Sequence, residues 1–516
     1  MRIDDDMAKR IELAGLKGSG IEKLALNAAI VRNPDWQKRL LHILEIREGF
    51  AENPHPFLSP DDEELVPGEI PLGTIVRMDG NLGPQVYLPI EILRRYPHIL
   101  VTGASGTGKS TTVRYLIMNF TQNSIGSLQL DSEDEYVNLL AYFPEGNCWV
   151  FDDSTFKRNP LQPLPGEERR RTYGRIKRVF REAFLRDGSI GLLGEELIDI
   201  SPSEAVDLLN GQEPTLRQLL DRLGRARYRL DSRRGQYLES LKNRLGNVVE
   251  FVDMYDCIEG IDISDWLTNK CIILSLVALS DELKDFVVNE LLASIQDWTH
   301  QNPSPGIRFV ITVDEAHRFF SPKKAERYDL GDPIILDAAR TFRKRGVNLI
   351  LSTQVFHDLP VTALANISTF LVFRTSEGSC IRAVGQALSL TREQMEYLPK
   401  LGDRRAILKH PLIPEPFVVE FPELDFDQYI SKHEIQERMA PVFEGLRWVP
   451  RPREETKAIS GGGAIASAQE KKRRNQSQEP RRAPLTKEAL GLHGCDSQAA
   501  FFAGYRARQH DWSFRI

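Results

Sequence analysis

Through the middle of the chain, short apolar runs alternate with amphipathic stretches. The runs are His98 to Val101, Ser127 to Leu130, Asn147 to Phe151, Cys271 to Val277, Ile307 to Val313, Asn348 to Thr353 and Thr369 to Phe373. Their length and β-branched content predict buried strands. Between them, Val113, Leu116, Ile117 and Phe120, then Asp281 to Trp298, then Ile334 to Arg345, follow a helical period. Helices alternating with apolar strands predict an α/β fold with a mostly parallel sheet. Strands near Arg404 to Leu408 and Phe417 to Phe421 are expected to close it.

The flanks read differently. From Ala8 to about Gly49, Ile11, Leu13, Leu16, Ile21, Leu24, Leu26, Ile30, Leu40, Ile43 and Leu44 recur at helix-like spacing, and Asn53-Pro54-His55-Pro56 ends the pattern. Glycine turns and short β-like runs, Thr74 to Arg77 and Gln85 to Leu88, predict a small β element before the core. Within the core, Gly166 to Glu250 is helical and rich in arginine, with Pro214-Thr215 opening one helix. Past the core, Ser460 to Gly463 and the basic stretch from Lys471 to Arg482 read as a flexible linker, before a tail carrying Phe501, Phe502, Tyr505, Trp512 and Phe514. The expected organisation is therefore a helical N-terminal region (1–56), a β element (57–96), a core domain (97–430) with a helical insertion (166–250), an extension and basic linker (431–485) and a tail (486–516).

Two strand ends carry chemistry. After His98 to Thr102 comes Gly103-Ala104-Ser105-Gly106-Thr107-Gly108-Lys109-Ser110-Thr111, the full G-x-x-x-x-G-K-[ST] pattern between a strand and a helix. Glycines at 103, 106 and 108 let backbone N–H groups turn toward phosphates, and the helix N-terminus adds partial positive charge. Lys109 is expected at the β- and γ-phosphates and Ser110 on Mg²⁺, with ATP as the nucleotide. The strand Ile307 to Val313 ends in Asp314-Glu315-Ala316-His317. There Asp314 is expected to hold Mg²⁺ and Glu315 to polarise the attacking water. His317 is read as a helix-start residue. Carboxylates after a third strand, Asp131 to Glu135, fall on the edge where open α/β sheets bind ligands.

Composition narrows the partners. The 516 residues carry a net charge of −6, so contact with nucleic acid must come from local basic patches. Arginines between Arg225 and Arg234 and between Arg343 and Arg345 are such patches. The five cysteines (Cys148, Cys257, Cys271, Cys380, Cys495) are dispersed, which predicts a reducing compartment and no zinc site. An acidic start and short apolar runs predict a cytoplasmic protein with no membrane anchor of its own.

The order of parts resembles a known class. Walker A at Gly103 to Ser110, Glu135-Tyr136 after an acidic strand end, the insertion with Pro214-Thr215-Leu216, Asp314 to His317, and Arg343-Lys344-Arg345-Gly346 leading to Ser352-Thr353-Gln354 are similar to the HerA/FtsK class of P-loop motor ATPases, in its HerA-like branch. The resemblance covers roughly residues 70–425. It implies a RecA-like core, a homo-hexameric ring and ATP-driven translocation on double-stranded DNA; coupling to a partner nuclease, in end processing or defence against foreign DNA, belongs to that translocase reading. It also implies that Gln354 senses the γ-phosphate and that an arginine reaches a neighbour's site. Arg343 is the first choice, with Arg340, Arg345 and Arg374 as alternatives. HerA relatives usually begin with a substantial β-barrel, whereas this chain begins with helices. Two alternatives stand beside a DNA translocase: a conjugation- or secretion-type pump on the same core, and a scaffold gated by nucleotide. DEAH-box helicases share the letters Asp-Glu-Ala-His, but their Walker motifs lie close together, and here about 200 residues separate them.

Overall fold

The computed structural model describes residues 55–185, 215–225, 229, 232–320, 332–424, 426 and 428–451. The expected N-terminal helices, the basic linker and the aromatic tail lie outside them.

One sheet of eleven strands organises the chain. Its strands are β1 (Ile70–Val76), β2 (Leu82–Leu88), β3 (Ile99–Thr102), β4 (Gly126–Asp131), β5 (Cys148–Phe151), β7 (Cys271–Ser275), β8 (Phe309–Val313), β9 (Val347–Thr353), β10 (Thr369–Phe373), β11 (Arg405–His410) and β12 (Ile413–Glu420). A separate short ribbon pairs β6 (Cys257–Glu259) with β13 (Val449–Pro450). Across the main sheet the order is β2-β1-β12-β11-β10-β3-β9-β8-β4-β7-β5. From β10 to β5 every neighbouring pair is parallel. From β10 outward to β2 every pair is antiparallel. This is the α/β fold that the alternating pattern predicts. The two strands before the core, β1 and β2, are continuous with the main sheet, because β1 pairs with β12 near the core's end.

Strands buried on both faces explain the near-continuous apolar runs. Along β3, Leu100 packs into one core, while Ile99 and Val101 pack into the other. Helix α1 (Lys109–Gln122) lays Val113, Leu116, Ile117 and Phe120 on the second face. On the first face lie α2 (Arg169–Phe180), α3 (Leu216–Arg225), α4 (Arg233–Phe251), α5 (Asp281–Gln301) and α6 (Ile334–Phe342).

Several insertion arginines are tied into this packing. Arg175, on α2, pairs with Glu167 at 2.7 Å, both side chains buried, and Arg178 reaches Asp337 and Gln296. Just before the insertion, Arg158 grips Glu290 of α5 through Nε and Nη2 at 2.9–3.0 Å.

At the end of the sheet where β3 starts, His98 is fully buried. Its Nε2 lies 2.7 Å from the carbonyl oxygen of Ala339, and its Nδ1 accepts from the N–H of Leu349 at 2.9 Å. Both nitrogens are used in the neutral form, and burial lowers the ring's pKa to about 4.

Candidate active site

Strand register brings the chemistry to one level. Thr102 of β3 pairs with Thr353 of β9, and Val313 of β8 pairs with Leu351 of β9. On the other side, Leu130 of β4 pairs with Val313. The residues that follow, Gly103, Gln354, Asp314 and Asp131, therefore leave the sheet at its carboxyl edge, where open α/β sheets hold ligands. β9 lies between the two Walker strands, so Gln354 emerges between the phosphate loop and Glu315.

The phosphate loop needs its glycines. Gly103, Gly106 and Gly108 have φ of 148°, 74° and 104°. At Gly103 a Cβ would stand 2.6 Å from Cβ of Phe373, so a side chain there would push β10 away. Ala104 donates its N–H to the carbonyl of Arg374 at 2.8 Å, which fastens the loop to the next strand. Thr107 Oγ1 and Lys109 Nζ both donate to the carbonyl of Ala104, at 2.8 and 2.9 Å. No side chain caps the N-terminus of α1. Its first-turn residues Lys109, Ser110 and Thr111 instead line an open cleft of about 390 Å³, together with Ser105, Gly106, Thr107 and Gly108.

Across the cleft stand Asp314, Glu315 and Gln354. Glu315 has φ 45°, an unusual backbone for a residue with a side chain. Its N–H donates to Asp314 Oδ1 at 3.0 Å. Gln354 Nε2 donates to Glu315 Oε1 at 2.9 Å, and His317 Nδ1 lies 3.1 Å from Glu315 Oε2. The hydrogen bond from His317 is the main reason that Glu315 titrates below the usual carboxylate range. His317 does begin a helical turn, His317–Phe320, and it also touches the expected water-polarising carboxylate, a role the sequence reading did not give it.

Charge in the cleft is unbalanced. Among the described residues that line it, Glu133, Glu135, Asp314, Glu315 and Asp403 stand with two cations, Lys109 and Arg404, and Arg374 reaches Asp403 from outside the lining. Burial, then the charge of Glu135, raises Asp314 to about 7. Lys109 is lowered by burial, against the pull of Glu315. The oxygen donors Ser110 and Asp314 in an acid-rich cleft fit a hard cation such as Mg²⁺, which would relieve the repulsion. Asp131 has a different task. Its carboxylate accepts from the N–H groups of Glu133, Glu135 and Tyr136 and shapes the turn that presents Glu135.

Asp403 and Arg404 were not singled out from sequence. They enter the cleft from the turn before β11, where Arg404, at φ 63°, approaches the carbonyl of Thr107. Arg374 pairs with Asp403 at 2.9 Å. Arg343 lies elsewhere, in the turn Arg343–Arg345 before β9, at the opposite end of that strand from Gln354. A strand of this length spans roughly 20 Å, so Arg343 does not line the cleft of its own chain.

Comparison with known proteins agrees with this geometry. Residues 70–295 match the family described as helicase HerA, central domain. The DNA double-strand break repair helicase HerA of Saccharolobus solfataricus is 23% identical over 387 residues, covering 71% of this chain and 72% of that protein. The protein of the same name from Sulfurisphaera tokodaii is 22% identical over 363 residues, covering 68% and 70%. Among solved structures, VirB4 of Thermoanaerobacter pseudethanolicus superimposes with a TM-score of 0.52 at 16% identity, covering 72% of this chain and all of that one, a likeness of fold alone. The Walker residues converge at one sheet edge, and in sequence the chain is similar to the HerA-like P-loop ATPases.

Proposed function

We propose that the chain uses ATP hydrolysis to move along double-stranded DNA as a homo-hexameric ring, in the manner its HerA relatives suggest, with a nuclease as partner. The observation that carries the hydrolytic part is the chain of contacts from Gln354 to Glu315 to His317, facing Lys109 across the cleft. Lys109 and the loop N–H groups bind the β- and γ-phosphates. Glu315, kept ionised by its hydrogen bonds, takes the proton of the attacking water. Gln354 holds Glu315 and senses the γ-phosphate beside it. Ser110 and Asp314 would hold Mg²⁺, which supplies charge neutralisation at the phosphates when bound.

The ring reading draws support from how the four candidate arginines are held. Arg340 pairs with Asp332, Arg345 donates to the carbonyl of Gln296, and Arg374 pairs with Asp403. Arg343 is exposed, and no hydrogen bond or ion pair among the described residues holds its side chain. It remains the choice for a neighbour's site. Among the described residues no helix is long and apolar enough to cross a membrane.

An ATPase assay with and without long duplex DNA tests this reading. Strong stimulation that falls steeply with salt, by about −0.9 in log–log slope per phosphate neutralised, is expected. Absence of stimulation at low salt, in protein shown to be hexameric, would overturn the translocase reading in favour of a pump or scaffold. Truncation after Pro450 removes the basic linker and separates its simple charge attraction from contacts in a pore.

A further inference from the structure

Away from the phosphate loop, one cluster combines three ligand chemistries. His357 lies in the turn Phe356–Asp358, three residues after Gln354. Glu377 and Cys380 lie at the start of α7 (Gly378–Leu388). His357 Nδ1 is 3.3 Å from Cys380 Sγ and 3.6 Å from Glu377 Oε2. The three atoms all lie within 4.8 Å of one another. Ligand atoms bound at about 2.0–2.3 Å around a tetrahedral metal stand about 3.3–3.6 Å apart. The two measured separations already have that dimension.

The surroundings suit a metal as well. Asp358 Oδ1 lies 3.6 Å from His357 Nε2, on the far side of the ring. A metal on Nδ1 requires the proton on Nε2, toward that carboxylate, and a small ring movement would close the 3.6 Å gap to the hydrogen bond that fixes a ligating imidazole. Glu377 accepts from the N–H groups of Ser379 and Cys380 and from the hydroxyl of Ser379. An ionised carboxylate offers about four acceptor positions, so one remains for a cation. Cys380 is buried while His357 and Glu377 are exposed, which leaves the fourth position to water. Sulfur, imidazole and carboxylate together select a borderline-soft ion such as Zn²⁺ over Mg²⁺. The expectation of no zinc site came from the absence of paired cysteines; this cluster uses a single cysteine, and its histidine lies on another element.

We propose that His357, Glu377 and Cys380 form a binding site for a divalent cation of the Zn²⁺ class, distinct from the Mg²⁺ position in the nucleotide cleft. The site bridges the turn after β9 to α7. Cys380 Sγ lies 3.9 Å from the carbonyl oxygen of Gln354, so a bound cation would replace that weak S–H···O contact by a link from α7 to His357, three residues after Gln354. That consequence for hydrolysis rests on the ATPase reading; the binding itself does not.

Full-length protein without nucleotide is titrated with Co²⁺ as an optical probe. A near-ultraviolet thiolate-to-cobalt band should saturate at one equivalent and disappear on adding Zn²⁺. Cys380→Ser should abolish it. Asp358→Asn should weaken affinity by about 10–100-fold, the usual effect of an outer partner. His357→Gln and Glu377→Gln change exposed side chains, and loss of the band in them keeps the test readable should Cys380→Ser fail to fold. No band at saturating Co²⁺, or a band of full intensity in Cys380→Ser or His357→Gln, would overturn the site. Neither outcome depends on whether DNA stimulates hydrolysis.

Discussion

Arg158 and Glu290 are buried with side chains only 6% and 1% exposed, joined through two guanidinium nitrogens. Glu290 Oε1 also accepts from Ser294 Oγ at 2.8 Å. Lys109, Asp314, Glu315 and Glu135 share a cleft at the sheet edge, with carboxylates in excess and Asp314 pushed up to about 7. Both places take charge out of water. The first balances it within the chain and so needs nothing else. The second leaves it unbalanced, and a nucleotide with its cation would complete it. Buried pairing specifies packing; buried imbalance specifies a ligand.

Breaking the balanced pair should have the largest effect. Glu290→Leu leaves Arg158 buried without its carboxylate, and should cost about 3–5 kcal/mol in a denaturant melt. Adding Arg158→Met should recover most of that. Failure of the double variant to recover would mean that the pair's geometry, not its charge, stabilises the packing of Arg158 on α5.

Next comes the cleft. Glu315→Gln keeps the shape but cannot accept a proton. ATP should bind and persist while turnover falls by about 10²–10³. Lys109→Ala should instead lose nucleotide affinity. Neither change should lower the melting temperature as Glu290→Leu does. A wild-type rate in Glu315→Gln would remove it from the role of base.

Acid should act in a graded way on a third buried group, His98, which is balanced like the Arg158–Glu290 pair but without charge. His98 is held neutral and binds no proton until about pH 4, whereas the unfolded ring binds one near pH 6.5. Between those values the unfolded state carries more protons, so stability is full above about pH 6.5 and falls on acidification toward pH 4. The loss is on the order of 3 kcal/mol at its limit. Melts of wild type and His98→Gln across this range should converge at low pH; parallel curves would place the acid sensitivity elsewhere.

The smallest effect concerns His317. Its hydrogen bond depresses Glu315, so His317→Asn should raise the pKa of Glu315 and move the acid limb of the rate profile to higher pH. The rate at neutral pH should drop only a few-fold, of the size expected when one hydrogen bond of about 1 kcal/mol is lost. An unshifted limb would assign His317 to the helix start alone.

The sequence showed most where chemistry is local. β3 with its loop and β8 with Asp314-Glu315 are legible because each packs strand, turn and functional group into about a dozen residues. The parallel core was legible from its apolar runs, since strands buried on both faces leave no polar alternation to confuse. What stayed hidden depends on distant pairing. Asp403 and Arg404 reach the cleft because β11 returns antiparallel beside β10, and nothing in the turn Gly402-Asp403-Arg404 announces that destination. The continuity of β1 with β12 pairs Thr74 with Glu420, contacts that no local period encodes. The partners of Arg158 and Arg175, Glu290 and Glu167, are likewise identified only by packing.

The left-handed backbone at Glu315 sets heat resistance against work. Glycine is at ease at φ 45°, whereas a side chain there costs on the order of 1 kcal/mol. Glu315→Gly should therefore melt no lower than wild type, and higher than Glu315→Ala, while hydrolysing nothing. A laboratory screen that rewards survival on heating alone would drift toward that glycine and collect sturdy, idle molecules. Only a screen that also demands turnover would keep the glutamate.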